Sequence, residues 1–228
     1  MSFDYRPSEY WQERGKVYQK NFVYDRDKRL QESLLIKHLN DNIFTSDKSV
    51  KSVLELGCGF GRITKLLLTN FPDIQEYLAI DLSPHQLENA KKYVDSHNDK
   101  ITFLLSDIQS LDTNNKKYDL VIMSEVLLHI IPSEIDSIIK KIISLSNKHI
   151  VNIDWYEDNL PADYKKRATY NFIHQYEAIY KKYTEPSITI KRIPIKIKKF
   201  LGSFDTRQSI FHVILEKNLR NNISMDYF

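Results

Sequence analysis

Short hydrophobic runs alternate with amphipathic stretches through the middle of the chain, from about position 50 to position 156. Runs of four to seven apolar residues are typical of buried strands, and the amphipathic stretches between them have the three- and four-residue spacing of helices. Strands that alternate with helices predict a doubly wound parallel sheet. The five predicted strands are 53–56, 77–80, 101–105, 118–123 and 148–153.

The pattern differs on either side of this central part. Before it, residues 8–41 predict one or two helices, and a stripe of leucines indicates that the helix over 27–40 packs against the body as scaffold. After it, residues 163–182 predict an aromatic, lysine-rich helix. Two extended runs, 188–197 and 209–217, predict further strands at one edge of the sheet.

Composition adds few constraints. The chain has 42% hydrophobic and 28% charged residues and a net charge of +3, which are ordinary values for a globular protein. No stretch resembles a secretion signal or approaches the roughly 20 apolar residues that span a bilayer, so we expect a cytosolic protein without a membrane partner. The single cysteine, Cys58, excludes an internal disulfide and a cysteine-based metal cluster, and we expect no metal.

Three of the five glycines lie in one turn directly after the first predicted strand: Gly57, Gly59 and Gly61. A turn without Cβ atoms lets a ligand approach the backbone closely. An acidic residue, Asp81, ends the next predicted strand, at the same edge of the sheet. The turn and the carboxylate together predict a small-molecule site at the carboxyl ends of parallel strands.

The spacing of the glycines separates two kinds of site. The dinucleotide fingerprint G-x-G-x-x-G requires a glycine at position 62, where this chain has Arg62. Here the pattern is G-x-G-x-G, preceded by Glu55 and followed by Asp81 and by the sequence Ser-Asp-Ile at 106–108. This combination resembles the class I S-adenosylmethionine-dependent methyltransferases over about residues 50–154.

The resemblance implies a Rossmann-like sheet of about seven strands, mostly parallel, with an antiparallel strand matched by 210–216. It implies one methyltransferase domain over 1–228, with an N-terminal helical cover (1–48), a cofactor-binding core (49–156), a helical insertion over the acceptor site (157–186) and C-terminal strands (187–219). The cofactor would be S-adenosylmethionine, with S-adenosylhomocysteine as the product.

The resemblance also assigns cofactor-binding roles. Asp81 would accept hydrogen bonds from both ribose hydroxyls, and Asp107 would accept one from the adenine amino group. Glu55 would support the glycine turn and the methionine amino group, and a cover helix would close over the methionine end. The full predicted set is Arg14, Tyr18, Glu55, Gly57, Gly59, Gly61, Asp81, Leu82, Asp107, Ile108 and Ser124.

Three residues near the predicted edge of the site are candidate general bases: His129, Asp154 and His174. A histidine titrates near neutral pH and suits a hydroxyl acceptor. Each candidate also has a structural alternative. His129 could pack between helix and sheet, Asp154 could cap the following segment, and His174 could lie on an exposed basic helix.

The acceptor is less well indicated. We expect methylation of an oxygen on a small anionic or sugar-linked molecule, with N-methylation of an amine as an alternative. The locally basic segment 181–199 makes RNA a second alternative, although lysines alternating with isoleucines are also typical of a protected edge strand. A catalytically silent S-adenosylmethionine-binding protein and a nicotinamide-dependent oxidoreductase are hypotheses of other classes. The sequence does not indicate the oligomeric state.

Overall fold

The computed structural model describes residues 7–16, 26–94, 99–158, 166–168, 171–186, 188–198 and 204–215. Within these residues, nine strands and six α-helices follow one another along the chain. The strands are β1 Ser52–Leu56, β2 Glu76–Asp81, β3 Ile101–Leu105, β4 Tyr118–Ser124, β5 Ser146–Trp155, β6 Lys166–Ala168, β7 Asn171–Phe172, β8 Thr189–Lys198 and β9 Phe204–Ile214. The helices are α1 Pro7–Gly15, α2 Arg26–Leu39, α3 Arg62–Asn70, α4 Pro84–Val94, α5 Ile135–Ser144 and α6 Tyr176–Tyr183.

Seven of the strands form one sheet in the order β3-β2-β1-β4-β5-β9-β8. The first five in that order pair in parallel, whereas β9 is antiparallel to both β5 and β8. The chain reverses its direction of travel across the sheet between β1 and β4, which is the topological switch point where such folds bind ligands. The predicted fold class, a mostly parallel doubly wound sheet with one antiparallel C-terminal strand, is confirmed.

The sheet separates two hydrophobic clusters because successive strand residues point to opposite faces. One face of β1 contributes Val53 to a cluster with Leu35 of α2 and Leu67 of α3. The other face contributes Leu54 to a cluster with residues of α5 and α6, among them Tyr180. Both faces of the central strands are therefore covered, which explains why these strands have few polar residues.

Three buried histidines form a hydrogen-bonded chain between α2, β9 and β5. The Asn42 amide donates to His38 Nδ1 (3.3 Å), so the neutral His38 ring carries its proton on Nε2 and donates to His212 Nδ1 (3.1 Å). His212 Nε2 in turn donates to His149 Nδ1 (3.1 Å). Burial lowers the pKa of His38 and of His149 to about 4, and that of His212 to about 2. These three histidine side chains are therefore uncharged at neutral pH.

The prediction of one helix over 163–182 is wrong. Residues 166–168 and 171–172 pair as the antiparallel strands β6 and β7, and the helix α6 begins only at Tyr176. Phe172, Ile173 and His174 are consecutive and all buried. A helix on the surface buries one stripe and exposes the residues between, so three adjacent buried side chains favour an extended segment pressed against the core.

Candidate functional site

A cavity of about 400 Å³ lies at the carboxyl ends of the central strands. Its position at the switch point between β1 and β4 is the predicted one, and its volume lies within the range of small-molecule pockets. The wall combines the glycine turn, the tips of β2, β3 and β4, and residues from α1, α2, α4 and α5. The residues that line the cavity include Trp11, Lys28, Glu55, Gly57, Gly59, Arg62, Asp81, Leu82, Ser83, Gln86, Asp107, Ile108, Ser124, Glu125 and His129.

The three glycines of the turn all have positive φ, a conformation that other residues adopt only with strain. A Cβ on Gly57 would lie 2.6 Å from Val126 Cγ2, and one on Gly61 would lie 2.6 Å from Val94 Cγ2. A Cβ on Gly59 would have no atom within 4 Å. Gly57 and Gly61 are therefore required by packing, whereas Gly59 presents bare backbone to the open cavity.

Asp81 connects the tip of β2 to this turn. Its Oδ2 accepts a hydrogen bond from the Gly59 amide (2.8 Å), and its Oδ1 accepts one from the Ser83 amide (2.8 Å). Burial raises the pKa of the Asp81 carboxyl, although these amides favour the charged form. Each carboxylate oxygen has a second lone pair, so the group can still accept hydrogen bonds from a ligand in the cavity.

Asp107 and Ile108 follow β3 and also line the cavity. The Asp107 carboxylate accepts hydrogen bonds from the amide and the hydroxyl of Ser110, at 2.8 and 2.7 Å. Partial burial acts to raise the pKa of Asp107, but these hydrogen bonds outweigh it and lower the pKa. The side chain is thus a fixed, ionised acceptor beside the apolar, buried Ile108.

Glu55 lies beneath the glycine turn, on the face of β1 that packs on α3. Its Oε2 accepts hydrogen bonds from the Thr64 hydroxyl (2.5 Å) and the Tyr77 hydroxyl (2.7 Å). Burial raises the pKa of Glu55 to about 7 despite these two donors. Glu55 was predicted to support the glycine turn, and its hydrogen bond with Thr64 connects β1 to α3, the helix that directly follows that turn. Contact with a methionine amino group stays a prediction.

A polar cluster at the end of β4 was not anticipated. Glu125 directly follows β4 with a positive φ of 59°, and its carboxylate pairs with Lys28 of α2 and accepts a hydrogen bond from Gln208 of β9. Burial acts to raise the pKa of Glu125, but the charges of Lys28 and Arg62 outweigh it and lower that pKa. The carboxylate therefore stays ionised although it is buried.

Arg62 takes the place of the missing dinucleotide glycine and belongs to the same cluster. Its guanidinium donates to Gln31 Oε1 (2.8 Å) and Ser124 Oγ (3.2 Å) and pairs with Glu32 at 3.0 Å. The helix α2 is therefore more than the scaffold that its leucine stripe predicted. It supplies Lys28 to the cavity wall, and its polar residues bind the groups at the tip of β4.

The predicted cover over the methionine end is only partly realised. Trp11 of α1 lines the cavity and its ring packs edge to face on the His129 ring, with centroids 4.5 Å apart. Arg14 is exposed and does not line the cavity, so its predicted cofactor contact is not supported. Tyr18 lies outside the described residues.

The structure separates the three predicted bases. Only His129 lines the cavity, at the end of a 3₁₀ turn over Leu127–His129. Asp154 and His174 are buried and are not among the residues that line it, so their prediction as contacting bases is not supported. Burial raises the pKa of Asp154 to about 8 and lowers that of His174 to about 4. The strand-tip position of Asp154 and the polar surroundings of His174 could not reveal this burial.

Comparison with known proteins adds an independent observation. Residues 53–149 match the family model described as "Methyltransferase domain". This match agrees with the resemblance of residues 50–154 to the class I S-adenosylmethionine-dependent methyltransferases. The matched residues of the methyltransferase domain include the glycine turn, Asp81, Asp107 and Ser124. They do not include α1, α2 or β9.

Curated relatives match over a similar extent. The chain is 36% identical over 103 residues to a malonyl-[acyl-carrier protein] O-methyltransferase of Priestia megaterium, which is 44% of this chain and 35% of that protein. It is 36% identical over 86 residues to a ubiquinone biosynthesis O-methyltransferase of Rickettsia bellii, 37% of this chain and 34% of that protein. The chain thus spans about a third of the length of these relatives.

Solved structures share the fold of nearly the whole chain. The N-methyltransferase NodS from Bradyrhizobium japonicum, in complex with S-adenosylhomocysteine, aligns with a TM-score of 0.68 at 16% identity, over 93% of this chain and 100% of that one. Magnesium protoporphyrin IX methyltransferase from Synechocystis, with bound S-adenosylmethionine, aligns with a TM-score of 0.65 at 15% identity, over 95% and 100%. At this identity the likeness establishes the fold.

The residues of the methyltransferase domain fit the family's cofactor, S-adenosylmethionine. The open backbone at Gly59 leaves room for a ligand, Asp81 and Leu82 border that space, and Asp107 and Ile108 border the cavity beyond β3. Among the residues that the structure describes, no group of three or more histidine, cysteine, aspartate or glutamate side chains is arranged to hold a metal ion. No helix in the described ranges is both long enough and apolar enough to cross a membrane.

Proposed function

We propose that this protein transfers a methyl group from S-adenosylmethionine to an oxygen of a small acceptor. The observation that carries the proposal is that the bare Gly59 backbone and the Asp81 carboxylate face one cavity at the switch point of the sheet. When bound, the cofactor supplies a methyl group on a positively charged sulfur, which is a good leaving group. The protein has then mainly to bind, align and exclude water.

The strand order assigns these tasks along the edge of the sheet. Asp107 after β3 and Asp81 at the end of β2 offer ionised acceptors for an amino group and for ribose hydroxyls. Ser124 ends β4 and the cluster around Glu125 follows it, on the other side of the glycine turn. We propose that the adenosine part lies toward β3 and the methionine part toward β4. Trp11 covers this second end and keeps water away from it.

His129 is the proposed general base. Its ring lines the cavity beside Trp11, whereas the other two candidates are buried elsewhere. A hydroxyl acceptor must lose its proton as the new bond to carbon forms, and a neutral imidazole within hydrogen-bond reach can take it. A carboxylate acceptor would need no base, so the effect of His129→Ala on the rate distinguishes these two kinds of oxygen.

Of small anionic and small sugar-linked acceptors, we propose the sugar-linked kind. Lys28 and Arg62 lie in the cavity wall, but Glu125 and Glu32 balance their charges. This end of the cavity therefore offers hydrogen-bonding groups more than net positive charge, which favours a hydroxyl-rich acceptor. The names of the curated relatives, which are O-methyltransferases, support oxygen over nitrogen.

The basic C-terminal segment does not line this cavity. Arg192 pairs with Asp158 at 3.1 Å and lies over the Tyr156 ring, while Lys182 pairs with Asp136 at 2.7 Å. These two charges are paired within the fold on different elements, and no described residue of the segment 181–199 lines the cavity. We therefore do not propose RNA as the acceptor.

The test is calorimetric binding of S-adenosylhomocysteine to wild type, Asp81→Asn and Asp112→Asn. Hydrogen bonds to a charged group contribute about 1.5 to 3 kcal/mol, so Asp81→Asn should weaken binding about 10- to 100-fold. Asp112 is exposed and does not line the cavity, and its variant should bind like wild type. Absence of binding to wild type, or unchanged affinity in Asp81→Asn, would contradict the proposal. Turnover with sugar-linked hydroxyl compounds against amines then tests the acceptor.

A further inference from the structure

Asp154 and His174, the two candidate bases outside the cavity, both form hydrogen bonds with the backbone of one short turn. Asp154 Oδ1 accepts a hydrogen bond from the Leu128 amide (3.1 Å), within the 3₁₀ turn that carries His129. His174 Nε2 lies 3.0 Å from the Ile130 carbonyl oxygen, directly after that turn. A carbonyl only accepts, so Nε2 carries the proton and donates. Buried side chains thus bind the turn at its middle residue, Leu128, and at Ile130, which directly follows it.

Asp154 is itself held in place by a buried network. The Asn152 amide donates to Asp154 Oδ2 (3.2 Å), and the Tyr180 hydroxyl of α6 donates to Asn152 Oδ1 (3.1 Å). All three side chains are fully buried, so each of these hydrogen bonds replaces one to water that is no longer available. The chain of contacts runs from α6 through β5 to the turn.

The backbone of the turn also forms hydrogen bonds of the 3₁₀ type. Its own hydrogen bonds run from the His129 amide to the Val126 carbonyl (3.0 Å) and from the Ile130 amide to the Leu127 carbonyl (3.1 Å). A single 3₁₀ turn is short and has poor hydrogen-bond geometry, so external partners decide where its side chains point. The His129 ring, at the end of the turn, packs against the Trp11 ring in the wall of the cavity.

We propose that Asp154 and His174 are positioning residues that fix the turn carrying His129, so that the insertion over the acceptor site acts through this turn. The proposal rests on the proposed function, because it gives His129 a reason to be held. It also accounts for two polar residues that are buried on separate segments, yet both reach backbone atoms of the same four-residue stretch. An orientation error of about 1 Å in a reacting group can cost two orders of magnitude in rate.

The test follows the His129 ring by NMR of histidine-labelled protein, with its Cε1–Hε1 signal assigned from His129→Ala. His174→Leu removes the donor and should move this signal and the pH at which it titrates. His174→Gln keeps an amide donor near the position of Nε2 and should restore both. His85→Leu, which changes an exposed histidine of α4, is the matched control and should leave the signal unchanged.

Tyr180→Phe gives a second route that removes only one hydroxyl, in case His174→Leu does not fold. It should also move the His129 signal, because Asn152 and then Asp154 lose their support. A wild-type His129 signal in folded His174→Leu, or in Tyr180→Phe, would overturn the proposal. The signal is read without any ligand, so a failure of S-adenosylhomocysteine to bind would refute the proposed function without affecting this test.

Discussion

Alanine at two glycines of the same turn should affect different properties: mainly stability at Gly61, and mainly cofactor affinity at Gly59. Gly59 and Gly61 both have positive φ, 56° and 86°, and alanine in that conformation costs about 1 to 2 kcal/mol. At Gly61 the new Cβ would also lie 2.6 Å from Val94 Cγ2 and 3.2 Å from Ala90 Cβ, and overpacking adds about 1 to 3 kcal/mol. We therefore expect Gly61→Ala to lose about 2 to 5 kcal/mol of unfolding free energy.

Gly59→Ala should lose only the conformational part of that energy, because nothing lies within 4 Å of its Cβ. The methyl group instead occupies cavity space, and one methyl in a binding pocket changes affinity about 10- to 200-fold. Urea unfolding followed by circular dichroism measures the stability, and calorimetry with S-adenosylhomocysteine measures the affinity. Wild-type affinity in Gly59→Ala, or wild-type stability in Gly61→Ala, would refute the reasoning.

Two further predictions concern buried charge. The pKa values of the three buried histidines are lowered, so the unfolded state takes up protons first as the pH falls below about 6.5, and stability is lost from there toward pH 4. His149→Gln should reduce this pH dependence by about 1.4 kcal/mol per pH unit in urea titrations; equal slopes would contradict the assignment. Glu125→Gln removes the negative charge that pairs with buried Lys28 and should cost about 3 to 5 kcal/mol, whereas Asp41→Asn, in an exposed pair with Lys37, should cost less than about 1 kcal/mol. Similar losses in these two variants would show that burial of the pair is unimportant.

The parts of the site that the sequence predicted are those encoded within a few residues. A buried strand followed by a glycine turn is a local pattern, and so is Ser83 before Pro84, where the Ser83 hydroxyl accepts from the Gln86 amide at 3.4 Å and caps α4. Asp81 and Asp107 follow from the rule that parallel strands end at one edge. Each of these predictions required only the periodicity and the identity of neighbouring residues.

The parts that were missed depend on contacts between distant segments. Lys28, Arg62, Glu125 and Gln208 come from four different elements, and no spacing along the chain brings them together. Glu125 alone offered a signal, since it directly follows a strand tip. The prediction of a single helix over 163–182, which included His174, failed for the same reason, because burial by other segments overrode the helical pattern.

Segments on either side of the matched region line the cavity in which an acceptor would bind, or bind residues that line it. Most of the residues proposed to bind the cofactor lie within 53–149, which the family model matches, whereas Trp11, Lys28, Gln208 and His174 lie outside it. These outside residues cover the cavity, pair with Glu125 or bind the turn of His129. We therefore expect these added segments to contribute to the choice of acceptor. Relatives that share the domain alone can indicate methyl transfer, and the acceptor has to be argued from the shape and charge that these added segments give to the cavity.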